Sequence, residues 1–137
     1  MPKFENVYIF VVDALRQDYL PSSVRDAGVS INTISSSTIS PTSFASIASG
    51  LHPQEHGVKT FFHTINPNTS ILNLNEYNTS FWQIILNGGV DQTLGQDSQE
   101  RVAPEDIKPP FVYIERDLST HAPYNEWTTA DFEASDN

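Results

Sequence analysis

Three short stretches of the chain carry side chains that could do chemistry. An apolar run, Asn6 to Asp13, ends in a carboxylate, and the stretch SPTSFASIASGLHPQEHGV, which starts at Ser40, places hydroxyls before a predicted helix. The third stretch, STHAPY, holds His121 in a loop that Pro123 would stiffen. Because burying a lone carboxylate is costly, Asp13 must be solvated, paired or bound to a cation. These residues are the candidates for a functional site.

The hydroxyls before the predicted helix admit two interpretations. They lie at Ser37, Thr38, Ser40, Thr42 and Ser43. One of them is expected to cap the helix, as Asp13 could cap the turn after its strand. The free N–H groups and the dipole at a helix N-terminus also favour anions, so a hydroxyl nucleophile placed there would have its developing charge stabilised. It would still need a base or a metal to lose its proton.

The alternation of predicted strands and helices indicates an α/β class, with a layered, mostly parallel sheet flanked by helices. Strands are predicted at Asn6–Asp13, Val29–Ser35, Gly57–Phe62 and Pro109–Asp117. Helices are predicted at Pro21–Gly28, Ser43–Ser49 and Thr79–Gly89, and residues 88–110 are interpreted as a long surface connection. In such sheets, ligands bind beyond the carboxyl ends of the strands, where Asp13, the Ser40 stretch and His121 would all lie.

The composition restricts the class of partner. Of 137 residues, 17 are acidic and 7 are basic, which gives a net charge of −10. Such a surface repels nucleic acid and anionic membranes. It suits a halophile, whose salty cytoplasm screens self-repulsion, although an ordinary acidic soluble protein is the alternative. The chain has no Cys, so disulfides and thiolate sites are excluded. The N-terminal apolar run is too short to span a membrane, and a cytoplasmic location is expected.

Three motifs, in this order, resemble those of the sulfatases and their relatives in the alkaline phosphatase superfamily. NVYIFVVDALRQDYL is similar to the family's N-terminal strand, which ends in a metal-binding Asp. SPTSFASIASGLHPQEHGV is similar to the stretch that holds the nucleophile, and FVYIERDLSTHAPY to the strand and loop whose His approaches the sulfate or phosphate group. The resemblance covers residues 6–58 and 111–124, whereas residues 60–110 match poorly.

The resemblance implies an alkaline-phosphatase-like fold, of which residues 1–124 would be the N-terminal part, followed by an acidic, frayed tail at residues 125–137. It implies a metal-dependent hydrolase of sulfate or phosphate esters, acting on a small anionic ester substrate. Asp13 would bind a divalent metal: calcium, magnesium, manganese or zinc. Ser40 stands where the nucleophile belongs, with Thr42 as the alternative, and His121 would contact the transferred anion.

The chain also departs from the family pattern. Phe44 stands where the Cys/Ser-x-Pro-x-Arg pattern has its Arg, so conversion of Ser40 to formylglycine is not expected, and Ala14 replaces the second Asp of the metal pair. Two alternatives follow. One is a phosphodiesterase or phosphotransferase with an unmodified Ser or Thr, and the other is a truncated, non-catalytic relative that binds an anion or a partner. A partial domain would leave strand edges and apolar faces uncovered, which favours self-association.

Overall fold

A three-stranded parallel sheet forms the centre of the fold. The computed structural model describes residues 4–84, 89–96 and 102–122. Strands β1 (Asn6–Val12), β2 (Asn78–Gln83) and β3 (Phe111–Asp117) lie in the order β1-β3-β2, and both strand pairs are parallel. The predicted α/β class with a parallel sheet is therefore confirmed, and the alkaline-phosphatase-like fold stays a prediction.

Short helices connect and cover the strands. They are α1 (Ser22–Asp26), α2 (Ser40–Ser49), α3 (Pro53–His56) and α4 (Val90–Thr93), with 3-10 turns at Gln17–Tyr19, Pro67–Thr69 and Ile71–Asn73. Pro41 lies in the first turn of α2, where its missing N–H costs no intrahelical hydrogen bond. Gly50 ends α2 in the left-handed conformation, with φ at 68°, which a glycine adopts without strain.

The hydrophobic core lies between one face of the sheet and helix α2. Ile114 of the central strand is fully buried, and the Phe81 ring of β2 meets the Phe44 ring of α2 edge-on, with centroids 5.8 Å apart. The small residues Ala45 and Ala48 are also fully buried, which allows the helix to lie close to its neighbours. The remaining buried members of the core are Val58, Ile65, Leu72, Val90 and Leu94.

The opposite face of the sheet is only partly covered within the described part of the chain. Tyr8 of β1 stacks on Tyr113 of β3 with centroids 5.4 Å apart, and the buried Tyr113 donates its hydroxyl to the Val102 carbonyl. Tyr8 and Phe10 remain about half exposed, at 49% and 52%. Strand β1 therefore presents aromatic surface on this face. The self-association predicted from uncovered apolar faces stays a prediction.

Two predicted strands, at Val29–Ser35 and Gly57–Phe62, are wrong, because neither segment is in a strand. In the first segment, the apolar side chains Val29 and Ile34 are almost fully exposed, at 92% and 98%. Alternating apolar residues form a strand only where a neighbouring strand and a packed layer receive them. The described fold offers neither to this segment.

The predicted helix at Thr79–Gly89 is also wrong in its described part, because β2 occupies Asn78–Gln83. The hydroxyl before an apolar run imitates a helix cap, but β-branched and aromatic residues such as Thr79 and Phe81 favour a strand. The predicted surface connection at residues 88–110 is wrong in part, because helix α4 buries Val90, Asp91 and Thr93 there.

Helix α1 is confirmed, although it ends at Asp26, before Gly28. Helix α2 begins at Ser40, three residues earlier than predicted, and the expected hydroxyl cap is wrong. Its N-cap residue is Ile39, and no side chain caps the helix. The Ser43 hydroxyl instead donates to the Ser37 carbonyl at 3.0 Å, so it closes the preceding loop.

The predicted acidic tail, residues 125–137, lies outside the described residues. Among the residues that the structure describes, no helix is both long enough and apolar enough to cross a bilayer.

His56 joins helix α3 to helix α2. The Val58 N–H donates to its Nδ1 at 3.1 Å, so this nitrogen carries no proton, and Nε2–H donates to the Ser46 hydroxyl at 3.0 Å. Burial lowers the pKa of His56 below its ordinary value, and the Glu55 carboxylate opposes this with a smaller effect. The neutral imidazole is therefore the form that the fold requires.

We expect the free energy of unfolding to decrease as the pH falls below about 6.5, the ordinary histidine pKa. Since the folded chain holds His56 at a lower pKa, the unfolded chain binds more protons in this range, and stability rises with pH. Urea unfolding at about pH 7.5 and about pH 5.5 should show a smaller loss for His56→Gln than for the original chain. An equal loss in both chains would refute this role of His56.

We expect Ile114→Ala to lower the free energy of unfolding by about 2–5 kcal/mol, because it leaves a cavity under the central strand. The matched control is Ile31→Ala, at a side chain that is 74% exposed, which should change stability by less than about 0.5 kcal/mol. Both values come from urea unfolding followed by circular dichroism. Similar losses for the two variants would contradict the described core.

Candidate functional site

The candidate site lies at the carboxyl ends of the three strands, on the face that α2 covers. Arg116 of β3 pairs in register with Val11 of β1 and with Gln83 of β2, and Asp13 follows two residues after Val11. Because side chains alternate along a strand, Asp13, Arg116 and Gln83 project from the same face of the sheet. Polar side chains from β2, from β3 and from the residue that follows β1 therefore meet at one edge of the core.

Asp13 and Arg116 form a largely buried ion pair. Arg116 Nε donates to Asp13 Oδ2 at 2.9 Å, and Nη2 donates to the same oxygen. Nη1 donates to Gln83 Oε1 at 3.1 Å, and the guanidinium carbon lies 5.5 Å from the centre of the Phe44 ring. The Arg116 and Asp13 side chains are only 6% and 17% exposed. Each charge therefore depends on the other for compensation.

Ser40, the first residue of α2, completes a triangle with this pair. Its half-buried side chain donates from Oγ to Asp13 Oδ2 at 3.0 Å, and the same Oγ accepts from Arg116 Nη2 at 3.3 Å. The carboxylate oxygen is thus in position to take the hydroxyl proton, and the guanidinium lies beside the oxygen that would gain negative charge. We refer to Asp13, Ser40 and Arg116 as the triangle.

The backbone after β1 fixes Asp13 from both sides. The Asp13 N–H donates to the Asp117 carbonyl at 2.9 Å, and the Asp13 carbonyl accepts from Thr120 Oγ1 at 2.6 Å. The next residue, Ala14, has φ at 65°, a left-handed conformation that side-chain-bearing residues rarely adopt. The chain therefore turns sharply after Asp13, which keeps its carboxylate at the strand end.

The other two predicted site residues lie apart from these contacts. Thr42 is buried within α2, and its Oγ1 has no hydrogen-bond partner among the described residues. His121 is half-buried, and its Nδ1 lies 2.6 Å from the neighbouring Ala122 carbonyl. The structure thus brings Asp13 and Ser40 together, and no described hydrogen bond links Thr42 or His121 to either of them.

Sequence reasoning missed Arg116, Gln83 and Thr120 as members of the site. A signal for Arg116 was present, because a charged residue interrupts the buried alternation of Val112 and Ile114 on β3. Gln83 carried no such signal, since it lay in a segment predicted to be helical. Its place beside Arg116 depends on the pairing of β2 with β3.

The described residues do not fit a divalent metal at Asp13. The Asp13 Oδ2 is already engaged by two guanidinium nitrogens and by the Ser40 hydroxyl. Hard cations need about six oxygen ligands, and no three His, Asp or Glu side chains in the described ranges lie close enough together to hold a metal. We therefore assign no chemical step to a metal. The divalent cation that the family resemblance implies at Asp13 stays a prediction.

Comparison with known proteins gives one informative similarity. The chain is 34% identical over 129 residues to a protein of Haloferax volcanii, the low-salt glycan biosynthesis sulfotransferase Agl7. The alignment covers 88% of this chain but 31% of that protein, so the chain spans about a third of the relative's length. No family model and no solved structure matches the chain.

This similarity corrects the expected activity. A sulfotransferase transfers sulfate, whereas the sequence motifs predicted a hydrolase of sulfate or phosphate esters. The hydrolase prediction, and with it the assignment as a sulfatase, is therefore wrong. The resemblance to enzymes of sulfate chemistry is confirmed at that broader level, because the chain is similar to an enzyme of sulfate transfer.

We expect Arg116→Met to lower the free energy of unfolding by about 3–5 kcal/mol, because it leaves the Asp13 charge buried without a partner. The double variant Asp13→Asn/Arg116→Met, which removes both charges, should be more stable than Arg116→Met alone. The matched control is Arg25→Met, at an exposed arginine, which should cost less than about 0.5 kcal/mol. If the losses of Asp13→Asn and Arg116→Met, each measured alone, simply add in the double variant, the pair is not coupled.

Proposed function

We propose that this chain is part of a sulfotransferase that transfers sulfate to a glycan, in which Ser40 accepts the sulfate group before passing it on. The similarity to Agl7 supports the reaction class. The observation that carries the proposal is the hydrogen bond from Ser40 Oγ to Asp13 Oδ2. It pairs a hydroxyl with a base at the carboxyl ends of parallel strands, where ligands of such sheets bind.

In the first step, Ser40 Oγ attacks the sulfur of a sulfate ester donor, and the bond from sulfur to the donor oxygen breaks. Asp13 takes the Ser40 proton and gives it to the departing donor oxygen. Ser40 then carries the sulfate as an ester, and the donor leaves as an alcohol. Charge and protons balance, because the carboxylate is restored at the end of the step.

In the second step, a glycan hydroxyl attacks the same sulfur, and the bond from sulfur to Ser40 Oγ breaks. Asp13 takes the proton from the glycan hydroxyl and returns it to Ser40. Hydrolysis would use water in place of the glycan, so a transferase must bind its acceptor more effectively than it binds water. The triangle alone supports the first half of this reaction, and the acceptor site is proposed for the remainder of the protein.

Ser40 is favoured over Thr42 as the nucleophile because its side chain is half-buried and next to a base. The Thr42 side chain is buried, at 5% exposed, and no described hydrogen bond joins its hydroxyl to a base. His121 stays a predicted contact of the transferred anion. It follows Thr120, whose hydroxyl already binds the Asp13 carbonyl.

We expect Ser40→Ala to reduce sulfate transfer at least about a hundredfold, because an alanine cannot accept the sulfate group. The assay follows radiolabelled sulfate from a sulfate ester donor into a glycan acceptor, using the longest natural form of the protein. The matched control is Ser43→Ala, a hydroxyl of the same helix turn whose described hydrogen bonds go to Ser35 and Ser37 in the preceding loop. It should retain most of the activity.

A second measurement isolates the first step. Mass spectrometry of peptides from protein mixed with donor, but without acceptor, should locate a sulfate ester on Ser40. Full transfer activity in Ser40→Ala would disprove the covalent role of Ser40. A sulfate ester on Thr42 instead would move the reaction to the alternative hydroxyl.

A further inference from the structure

We propose that Arg116 is the sulfate-binding residue of this site, and that its guanidinium exchanges the Asp13 carboxylate for the sulfate group. This inference rests on the proposed function, because it gives a binding role to the residue beside Ser40. The ligand is a tetrahedral oxyanion with one or two negative charges. Arg116 was not among the site residues that the sequence motifs predicted.

The first support is position. Arg116 Nη2 lies 3.3 Å from Ser40 Oγ, the oxygen to which the sulfate would become attached. A sulfate group bonded to this oxygen would place its own oxygens within reach of the same guanidinium. Arginine is well suited to this ligand, because its planar array of N–H donors binds oxyanions with two hydrogen bonds at once.

The second support is rigidity. Gln83 Oε1 accepts from Nη1, and the Phe44 ring lies under the guanidinium, so two contacts hold Arg116 without using Asp13. These contacts come from strand β2 and helix α2, which flank the arginine. The cation therefore keeps a fixed place even when its carboxylate partner is exchanged, and a preorganised cation binds an anion at lower entropic cost.

The third support is charge. The chain carries a net charge of −10, so an oxyanion is repelled from most of its surface. Arg116 is a buried cation, 6% exposed, beside a half-buried hydroxyl that faces the strand ends. Because Asp13 compensates this cation in the resting site, sulfate must compete with the carboxylate for the guanidinium.

The probe is inorganic sulfate. We measure the change in the melting temperature of each chain when sulfate is added, and its affinity for sulfate by isothermal titration calorimetry. Sodium chloride at the same ionic strength corrects for general salt effects. Asp13→Asn removes the competing carboxylate, so we expect it to bind sulfate about tenfold more tightly than the original chain. Its melting temperature should also rise more on addition of sulfate, because the anion replaces the missing charge.

The comparison chain is Asp13→Asn/Arg116→Met, in which neither charge is left unpaired, so it should fold. We expect its sulfate response to vanish. The matched control is Asp13→Asn/Arg25→Met, which loses an exposed arginine and should bind sulfate as Asp13→Asn does. Circular dichroism establishes that each variant is folded before titration.

Two outcomes overturn the proposal. One is an equal sulfate response in Asp13→Asn and in Asp13→Asn/Arg116→Met, which would place the anion elsewhere. The other is the absence of any sulfate response in both the original chain and Asp13→Asn. These readings involve no turnover, so they are independent of the Ser40 test. Sulfate binding at Arg116 without a sulfate ester on Ser40 would retain this inference and refute the covalent mechanism.

Discussion

The ion pair between Asp13 and Arg116 is the constraint on which the rest of the described site depends. Two charges with little exposure are stable only when they meet in good geometry. This requirement demands that β1 and β3 be parallel neighbours in one register, since Asp13 and Arg116 come from the same end of the two strands. The pair thus ties the sheet topology to the chemistry of the site.

Helix α2 and strand β2 are positioned around the same pair. Phe44 packs on Phe81 in the core and also lies under the guanidinium, so one side chain links core packing to the site. The first turn of α2 then places Ser40 against the carboxylate. Negative charge that develops on this hydroxyl would be stabilised by the positive end of the helix dipole as well as by the guanidinium beside it.

In the two-step mechanism proposed for Ser40, sulfate transfer and sulfate ester hydrolysis would share their first event, the attack of the Ser40 hydroxyl on sulfur. They differ in what attacks next, a glycan hydroxyl or water. In that mechanism the motifs around Asp13, Ser40 and His121 would serve the first event, which is common to the two reactions. That is why the sequence led to a hydrolase, while similarity over most of the chain led to a transferase. On the proposed mechanism, the residues that bind the acceptor would distinguish the two reactions.

The sequence by itself determined the α/β class, the buried strand that ends at Asp13, and the helix that carries Ser40, because these depend on local hydrophobic patterns and turn residues. It misplaced β2 as a helix and predicted strands at Val29–Ser35 and Gly57–Phe62, because a strand exists only where partners pair with it. Tertiary structure alone decided that Arg116 meets both Asp13 and Gln83, at sequence separations of 103 and 33 residues. Such contacts follow from strand order and register, which emerge from the packing of the whole sheet.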